Sequence, residues 1–296
     1  MLSKTTDQQW LVIDGIRIRY DRKGKVNASP LVLLHGLGGS LETFQANIDF
    51  FAQEYDVIAI DFPGFGYSDK PATRYTIHFQ VLKLKRLLDQ LQLDNIYLAG
   101  HSMGGAIAIH FAHLFASRVK KLILICNAGM DKQIHYLLRL SAIPLSPLIF
   151  DLGHVSGISQ MLKNCVYNSD IITSELIHLY QDIFEQHNSV HAYFSQLKSF
   201  VTIYGQEKSF LISTREKLPQ LIMPTLIIWG NNDRILPVSH AKIAHDNIHN
   251  SECIFFDNCG HIPQLEKPEQ FNTCVHQFLG ATSNNNFSKI MAEGEY

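Results

Sequence analysis

Three residues able to attack a carbonyl and shuttle its proton occur in order along this chain: Ser102, Asp233 and His261. A serine hydroxyl is a weak nucleophile unless a base takes its proton. A neutral histidine can do so and later return the proton to a leaving group. A carboxylate can fix that histidine's tautomer and stabilise the imidazolium. Ser102 stands in Gly100-His101-Ser102-Met103-Gly104, between the apolar run Asn95-Ile96-Tyr97-Leu98-Ala99 and the helical stretch Ala106-Ile107-Ala108-Ile109-His110-Phe111. Small residues two before and two after the serine permit a sharp strand-to-helix turn. That turn raises Oγ at a helix N-terminus, where the helix dipole favours developing negative charge.

The partners arrive by the same device. Thr225-Leu226-Ile227-Ile228-Trp229 reads as a buried strand and runs into Gly230-Asn231-Asn232-Asp233. Glu252-Cys253-Ile254-Phe255-Phe256 reads as another and runs into Asp257-Asn258-Cys259-Gly260-His261. Each candidate therefore sits at the carboxyl end of a strand, the edge where open parallel sheets bind ligands. Asp257 is a rival acid, although it lies on the strand that carries the histidine. Asn127, after the run Lys121–Cys126, is an amide and offers no charge to an imidazolium. A fourth run, Pro30-Leu31-Val32-Leu33-Leu34, opens into His35-Gly36-Leu37-Gly38-Gly39. A glycine-rich turn there can aim backbone N–H groups at a substrate oxygen. It lacks the G-x-G-x-x-G spacing of a dinucleotide site.

Taken together, the His35-Gly36 loop, Asp61-Phe62-Pro63-Gly64-Phe65-Gly66-Tyr67-Ser68, the Ser102 turn, Gly230-Asn231-Asn232-Asp233 and Gly260-His261-Ile262-Pro263 resemble the α/β-hydrolase superfamily from about Val12 to Leu279. The resemblance implies an α/β fold: a mostly parallel eight-stranded sheet flanked by helices, with a helical cap inserted after the sixth strand. It implies Ser102, Asp233 and His261 as the catalytic triad, with the backbone N–H groups of Leu37 and Met103 as oxyanion hole. His35, Gly36, Gly100, His101 and Gly104 would support the loop and the turn. A serine at this position sets the chain apart from relatives that open epoxides or remove halide with a carboxylate. The expected reaction is hydrolysis of a small to medium hydrophobic carboxylic ester through an acyl-enzyme, monoacylglycerol-type lipids included. Acyl transfer shares this chemistry, and two further alternatives stand beside it. One is C–C hydrolysis of ring-cleavage products, from whose usual pattern Ile262 and His101 depart. The other is a slow-turnover ligand receptor on the same fold.

The elements that must position these residues follow from pattern. Trp10–Asp14 and Ile16–Tyr20 read as an antiparallel opening pair. Asp56–Asp61 and Lys121–Cys126 read as further strands, and Ile77–Leu91 as a helix with Leu84, Leu87, Leu88 and Leu91 on one face. The alternation stops near Met130, where helical patterns at Ile134–Leu140 and Thr173–Gln186 and the breakers Pro144, Pro147 and Gly153 take over. The expected division is a core of 1–129 and 221–280, a cap of 130–220 rich in apolar residues (Leu137 to Phe150), and a polar tail of 281–296.

Composition fits that plan. The chain has 296 residues, 46% of them hydrophobic, with 18% charged and a net charge of −2; this suits one large domain and offers no basic stripe for nucleic acid. Cys126, Cys165, Cys253, Cys259 and Cys274 are odd in number and scattered, as expected of buried free thiols. His110 with His113, and His245 with His249, have helical spacing but no carboxylates arranged beside them, so neither metal nor cofactor is expected. The polar start of the chain carries no signal-peptide pattern, and no apolar run is long enough to span a bilayer. A cytoplasmic protein with a small-molecule ester as partner, and at most transient lipid-surface contact, is the expectation.

Overall fold

The computed structural model describes residues 8–144, 146 and 155–280. The expectations for residues 1–7, for Leu145, Pro147 and the apolar residues 148–150, for Gly153 and for the 281–296 tail lie outside these. The chain opens with β1 (Gln9–Ile13), β2 (Ile16–Gly24) and β3 (Pro30–Leu34), followed by α1 (Gln45–Phe51), β4 (Asp56–Ile60) and α2 (Ile77–Gln90). Next come β5 (Ile96–His101), α3 (Met103–Leu114) and β6 (Val119–Ile125). These strands and two later ones, β9 (Thr225–Gly230) and β10 (Ser251–Phe256), form an eight-stranded sheet in the order β1-β2-β4-β3-β5-β6-β9-β10. Strand β2 is antiparallel to both β1 and β4, and the other pairings are parallel.

The central strands are apolar throughout because both of their faces are covered. Side chains alternate between faces, so one strand feeds two cores. Val32, Leu34, Ile58, Ile60 and Leu98 pack on one side, and Leu31, Leu33, Val57, Ala59 and Ala99 on the other. Helix α2 covers the first side with buried Val81, Leu84, Leu87 and Leu88, and the Thr76 hydroxyl caps it by accepting the Phe79 N–H at 3.1 Å.

Between β6 and β9 run α4 (Tyr136–Ser141), α5 (Val155–Cys165), α6 (Ser174–Glu185), α7 (Ser189–Leu197) and α8 (Lys208–Arg215). A two-stranded hairpin, β7 (Val201–Thr202) with β8 (Gly205–Gln206), lies among them. Strands of two residues are too short to show alternation, which is why the sequence does not announce them. Strand β2 also runs four residues past its predicted end at Tyr20, because Tyr20 to Gly24 pair with β4; that pairing is tertiary and overrides the polar composition. The chain closes with α9 (Ser239–Asn247), α10 (Pro263–Glu266) and α11 (Pro268–Gly280). Among the described residues no helix is long and apolar enough to cross a membrane.

Candidate active site

Ser102 sits between β5 and α3 with φ +53° and ψ −116°, a backbone state that costs a non-glycine residue energy and persists only where its surroundings over-determine it. They do so here. Its N–H donates to the Ile125 carbonyl at 2.9 Å, and its own carbonyl accepts from Gly105 at 3.0 Å and Ala128 at 3.0 Å. The flanking glycines leave room for the turn. A Cβ on Gly104 would stand 2.5 Å from the carbonyl oxygens of both Leu34 and His35, and one on Gly100 would collide with the Gly104 carbonyl.

Asp233 follows β9 and His261 follows β10, and the two meet. His261 Nδ1 donates to Asp233 Oδ2 at 2.7 Å, with side chains 5% and 0% exposed. The other carboxylate oxygen accepts the N–H groups of Ile235 at 2.8 Å and Leu236 at 2.9 Å. This arrangement puts the proton of a neutral imidazole on Nδ1 and leaves Nε2 as the acceptor. Asp257 instead accepts from Asn231 Nδ2 at 2.5 Å near the surface. The buried Asn127 amide turns to the Ala128 carbonyl at 3.3 Å. Ser102 and His261 open onto one cavity. No hydrogen bond joins Ser102 Oγ to His261 among the described residues, and in such sites this contact often tightens only around substrate.

A residue that the motif contains but sequence reasoning did not single out holds the histidine loop. Glu266 accepts the N–H groups of Gly260 at 2.9 Å and Ile262 at 3.2 Å, and also that of Tyr167 at 2.7 Å. His261 N–H donates to the Cys165 carbonyl at 2.7 Å. The loop is thus clamped to the end of α5.

The glycine loop after β3 is organised by its histidine. His35 Nδ1 donates to the Gly36 carbonyl at 2.7 Å, and its Nε2 accepts the Phe62 N–H at 3.0 Å. Complete burial pulls its pKa down to about 4 and keeps the ring neutral. Asp61 ties the neighbouring turn: it accepts from Arg19 Nε at 2.6 Å, Leu41 N–H at 2.7 Å and Tyr67 N–H at 2.7 Å. The N–H groups of Leu37 and Met103 donate to no protein acceptor among the described residues. Met103 is the first residue of α3, where an amide has no intrahelical partner. His101 donates from Nε2 to the His261 carbonyl at 2.7 Å. Burial, and then the proximity of His261, holds its pKa well below the ordinary value.

The cavity over Ser102 has a volume of about 320 Å³. Leu137, Leu138, Met161, Leu162, Tyr193 and Ile235 supply apolar wall, and Thr43, Gln160, Asn164 and Tyr180 its polar points. Most of these come from α4 to α7, and the sequence did not identify which of that segment's apolar residues face inward. No lysine or arginine is among the described residues that line it.

One member of each of the other histidine pairs is held by a hydroxyl. His110 Nε2 meets Thr214 Oγ1 at 3.0 Å, and His245 Nδ1 meets Ser251 Oγ at 2.9 Å. Among the described residues one group of three side chains could hold a metal ion: ligand atoms of Cys126, Asp233 and His261 lie within 4.8 Å of one another. Asp233 and His261 are already joined, and burial together with the adjacent Asp233 carboxylate holds the Cys126 thiol well above its ordinary pKa. All five cysteines are free thiols.

A family model for the alpha/beta hydrolase fold matches residues 29–268. An uncharacterised hydrolase of Bacillus subtilis, YugF, is 28% identical over 270 residues, covering 90% of this chain and 96% of that protein. The 2-hydroxy-6-oxononadienedioate/2-hydroxy-6-oxononatrienedioate hydrolase of Paraburkholderia phymatum is 30% identical over 279 residues, covering 91% of this chain and 94% of its own. Among solved structures, one of a putative lipase from Acinetobacter baumannii AYE is similar with a TM-score of 0.82 at 24% identity, over 92% of this chain and 90% of that one.

Proposed function

The chain belongs to the α/β-hydrolase fold family, and from that premise we propose that it is a serine hydrolase cleaving a small to medium hydrophobic carboxylic ester. The observation that carries the reading is an Asp233–His261 pair beside Ser102 beneath a cavity whose described walls are mostly apolar and without lysine or arginine.

In this mechanism Ser102 Oγ attacks the ester carbonyl carbon while its proton passes to His261 Nε2. Asp233 stabilises the imidazolium through Nδ1–H. The oxyanion is met by the N–H groups of Leu37 and Met103, which cost no reorganisation because they are already unengaged. Collapse breaks the C–O bond, and His261 returns its proton to the leaving alkoxide oxygen, leaving an acyl-enzyme. Water then attacks the acyl carbon as His261 takes its proton, releasing the acid and restoring Ser102.

A second reading, C–C hydrolysis, is supported by the 30% identical relative from Paraburkholderia phymatum. The substrates in that relative's name are dioates, with two carboxylates each. A carboxylate inside the apolar cavity itself, without a cationic partner there, costs several kcal/mol, which weighs toward an uncharged acyl chain in that cavity.

Initial rates on p-nitrophenyl esters from acetate to palmitate, beside a 2-hydroxy-6-oxo-dienoate, test the proposal. Ester turnover that Ser102→Ala lowers by about 10⁶-fold is expected, as for triads acting as a unit. Turnover of the dienoate alone moves the assignment to C–C hydrolysis. Release of one nitrophenolate per chain and no further turnover moves it to a receptor.

A further inference from the structure

A second depression adjoins the cavity over Ser102. Its volume is about 550 Å³, and its wall includes Lys132, Arg139, Arg234, His135 and Tyr204. His135 borders both spaces.

Charge and anchoring characterise this depression, whose three cations are exposed. Its three cations, Lys132, Arg139 and Arg234, make no ion pair among the described residues, as is also true of Arg74 and Arg215, but these three converge on one concavity. Of the carboxylates nearest in sequence, Asp233 is bonded to His261, and Asp131 precedes Lys132 in the chain. One guanidinium is also fixed in place, because Arg139 Nε donates to the Ile203 carbonyl at 3.0 Å in the β7–β8 turn. Its terminal nitrogens have no hydrogen-bond acceptor among the described residues. Across the depression Lys132 Nζ lies 6.0 Å from the ring of Tyr204, which is 74% exposed. Unpaired guanidinium groups lining a concave site match the oxygens of a phosphate, which accepts paired N–H donors.

We propose that this cationic depression binds a phosphate carried on the alcohol portion of the ester substrate, while the acyl chain occupies the apolar cavity beside Ser102. The substrate class is then an acyl ester of a phosphorylated alcohol, of the lysophospholipid type. Three cations exceed what one carboxylate would neutralise, and the depression has room for more than a carboxylate. The assignment rests on the serine hydrolase reading above and names the substrate class for that site.

The test compares kcat/KM on octanoylglycerol, octanoylglycerol phosphate and the octanoyl ester of glyceric acid. The acyl chain is constant, so the ratio to the neutral substrate isolates the headgroup. The phosphate ester is expected to be preferred by at least about tenfold at low salt. That ratio should fall about fivefold in Arg139→Gln and in Arg234→Gln, and fall again in about 0.5 M salt. Lys242→Gln, an exposed change outside the residues lining the depression and paired with Asp246, should leave it unchanged. Because the neutral substrate divides out, a disturbance of Asp233 by its neighbour Arg234 cannot mimic the effect. A ratio near one with Ser102-dependent turnover of the neutral ester overturns this proposal and leaves the hydrolase reading standing. A larger preference for the glycerate ester overturns it in favour of a carboxylate. Inorganic phosphate changing all three rates equally, with the ratio near one, overturns it in favour of a free-anion site. No Ser102-dependent turnover of any ester removes the hydrolase reading itself.

Discussion

The sheet edge that carries Ser102, Asp233 and His261 and the helical segment that roofs it are held by different forces. At the edge, backbone groups and buried charges define position. Ser102 is locked by bonds to Ile125, Gly105 and Ala128, Asp233 by three donors, and His261 by Asp233, Cys165 and the Glu266 clamp. In the roof, side chains such as Ile158, Leu162, Leu176, Tyr180, Phe184 and Tyr193 bury apolar surface, and many residues of the right size would serve. On the proposed function, the difference separates two tasks. Chemistry needs atoms fixed to fractions of an ångström, whereas selection of an acyl group needs only a wall of suitable volume.

The sharpest way to break this comparison is at the acid. If the edge is over-determined, replacing one oxygen should be ruinous while the fold survives. Asp233→Asn keeps the volume and the acceptor toward Ile235 and Leu236 but allows the wrong histidine tautomer. A loss of about 10⁴-fold in kcat is expected, with Asp257→Asn within a few-fold of wild type. Thermal melts on both variants separate chemistry from folding. A larger loss at Asp257 would mean that the edge is more plastic than its hydrogen bonds indicate.

The same difference explains what the sequence made legible. The edge was readable because its demands are local: glycines where a Cβ would strike Leu34 or His35, a serine between strand and helix, and an acid and a histidine at strand ends. The extent of β2 and the β7–β8 hairpin were not, because pairing partners set them. The cavity wall was not either. Helix periodicity finds an apolar face but cannot say whether it meets the core or a substrate. Nothing local marks Cys126 as the neighbour of Asp233, or Lys132, Arg139 and Arg234 as three sides of one depression. They come from separate stretches and meet only in the fold.

Acidity should strain the two regions unequally. The core buries His35, His101 and His240 and half-buries His110, whereas His178, His187 and His191 of the roof are exposed. Burial lowers the pKa of His35 and of His240 to about 4 and that of His110 to about 3, against 6.5 for a free ring. The unfolded chain therefore binds more protons than the folded one below pH about 6.5. The stability these groups confer is complete above that pH and is lost as pH falls toward 4, and toward 3 for His110. His35 alone accounts for roughly 3 kcal/mol at the bottom of its range. Urea unfolding from pH 7 to pH 4.5 should show stability falling by several kcal/mol with fractional-to-several proton uptake on unfolding. A flat profile would mean that these rings are hydrated, and that the edge is less sealed than its burial implies.

The smallest expected effect bears on the roof. Met161 on α5 lines the cavity over Ser102 and is only half-buried, so its removal should open space without unseating the core. A buried methylene contributes about 0.8 kcal/mol, and Met161→Ala removes enough side chain for an acyl group to extend by two or three carbons. The ratio of kcat/KM for a long ester to that for a short one should rise about tenfold, with the rate on acetate changed little. Lys163→Ala, exposed on the same helix, is the matched control and should not move the ratio. If Met161→Ala lowers every ester equally, α5 supports His261 through Cys165 rather than measuring the acyl chain. The roof would then share the edge's rigidity, and the division between fixed chemistry and adjustable selection would have to be drawn farther out, at α4 or α7.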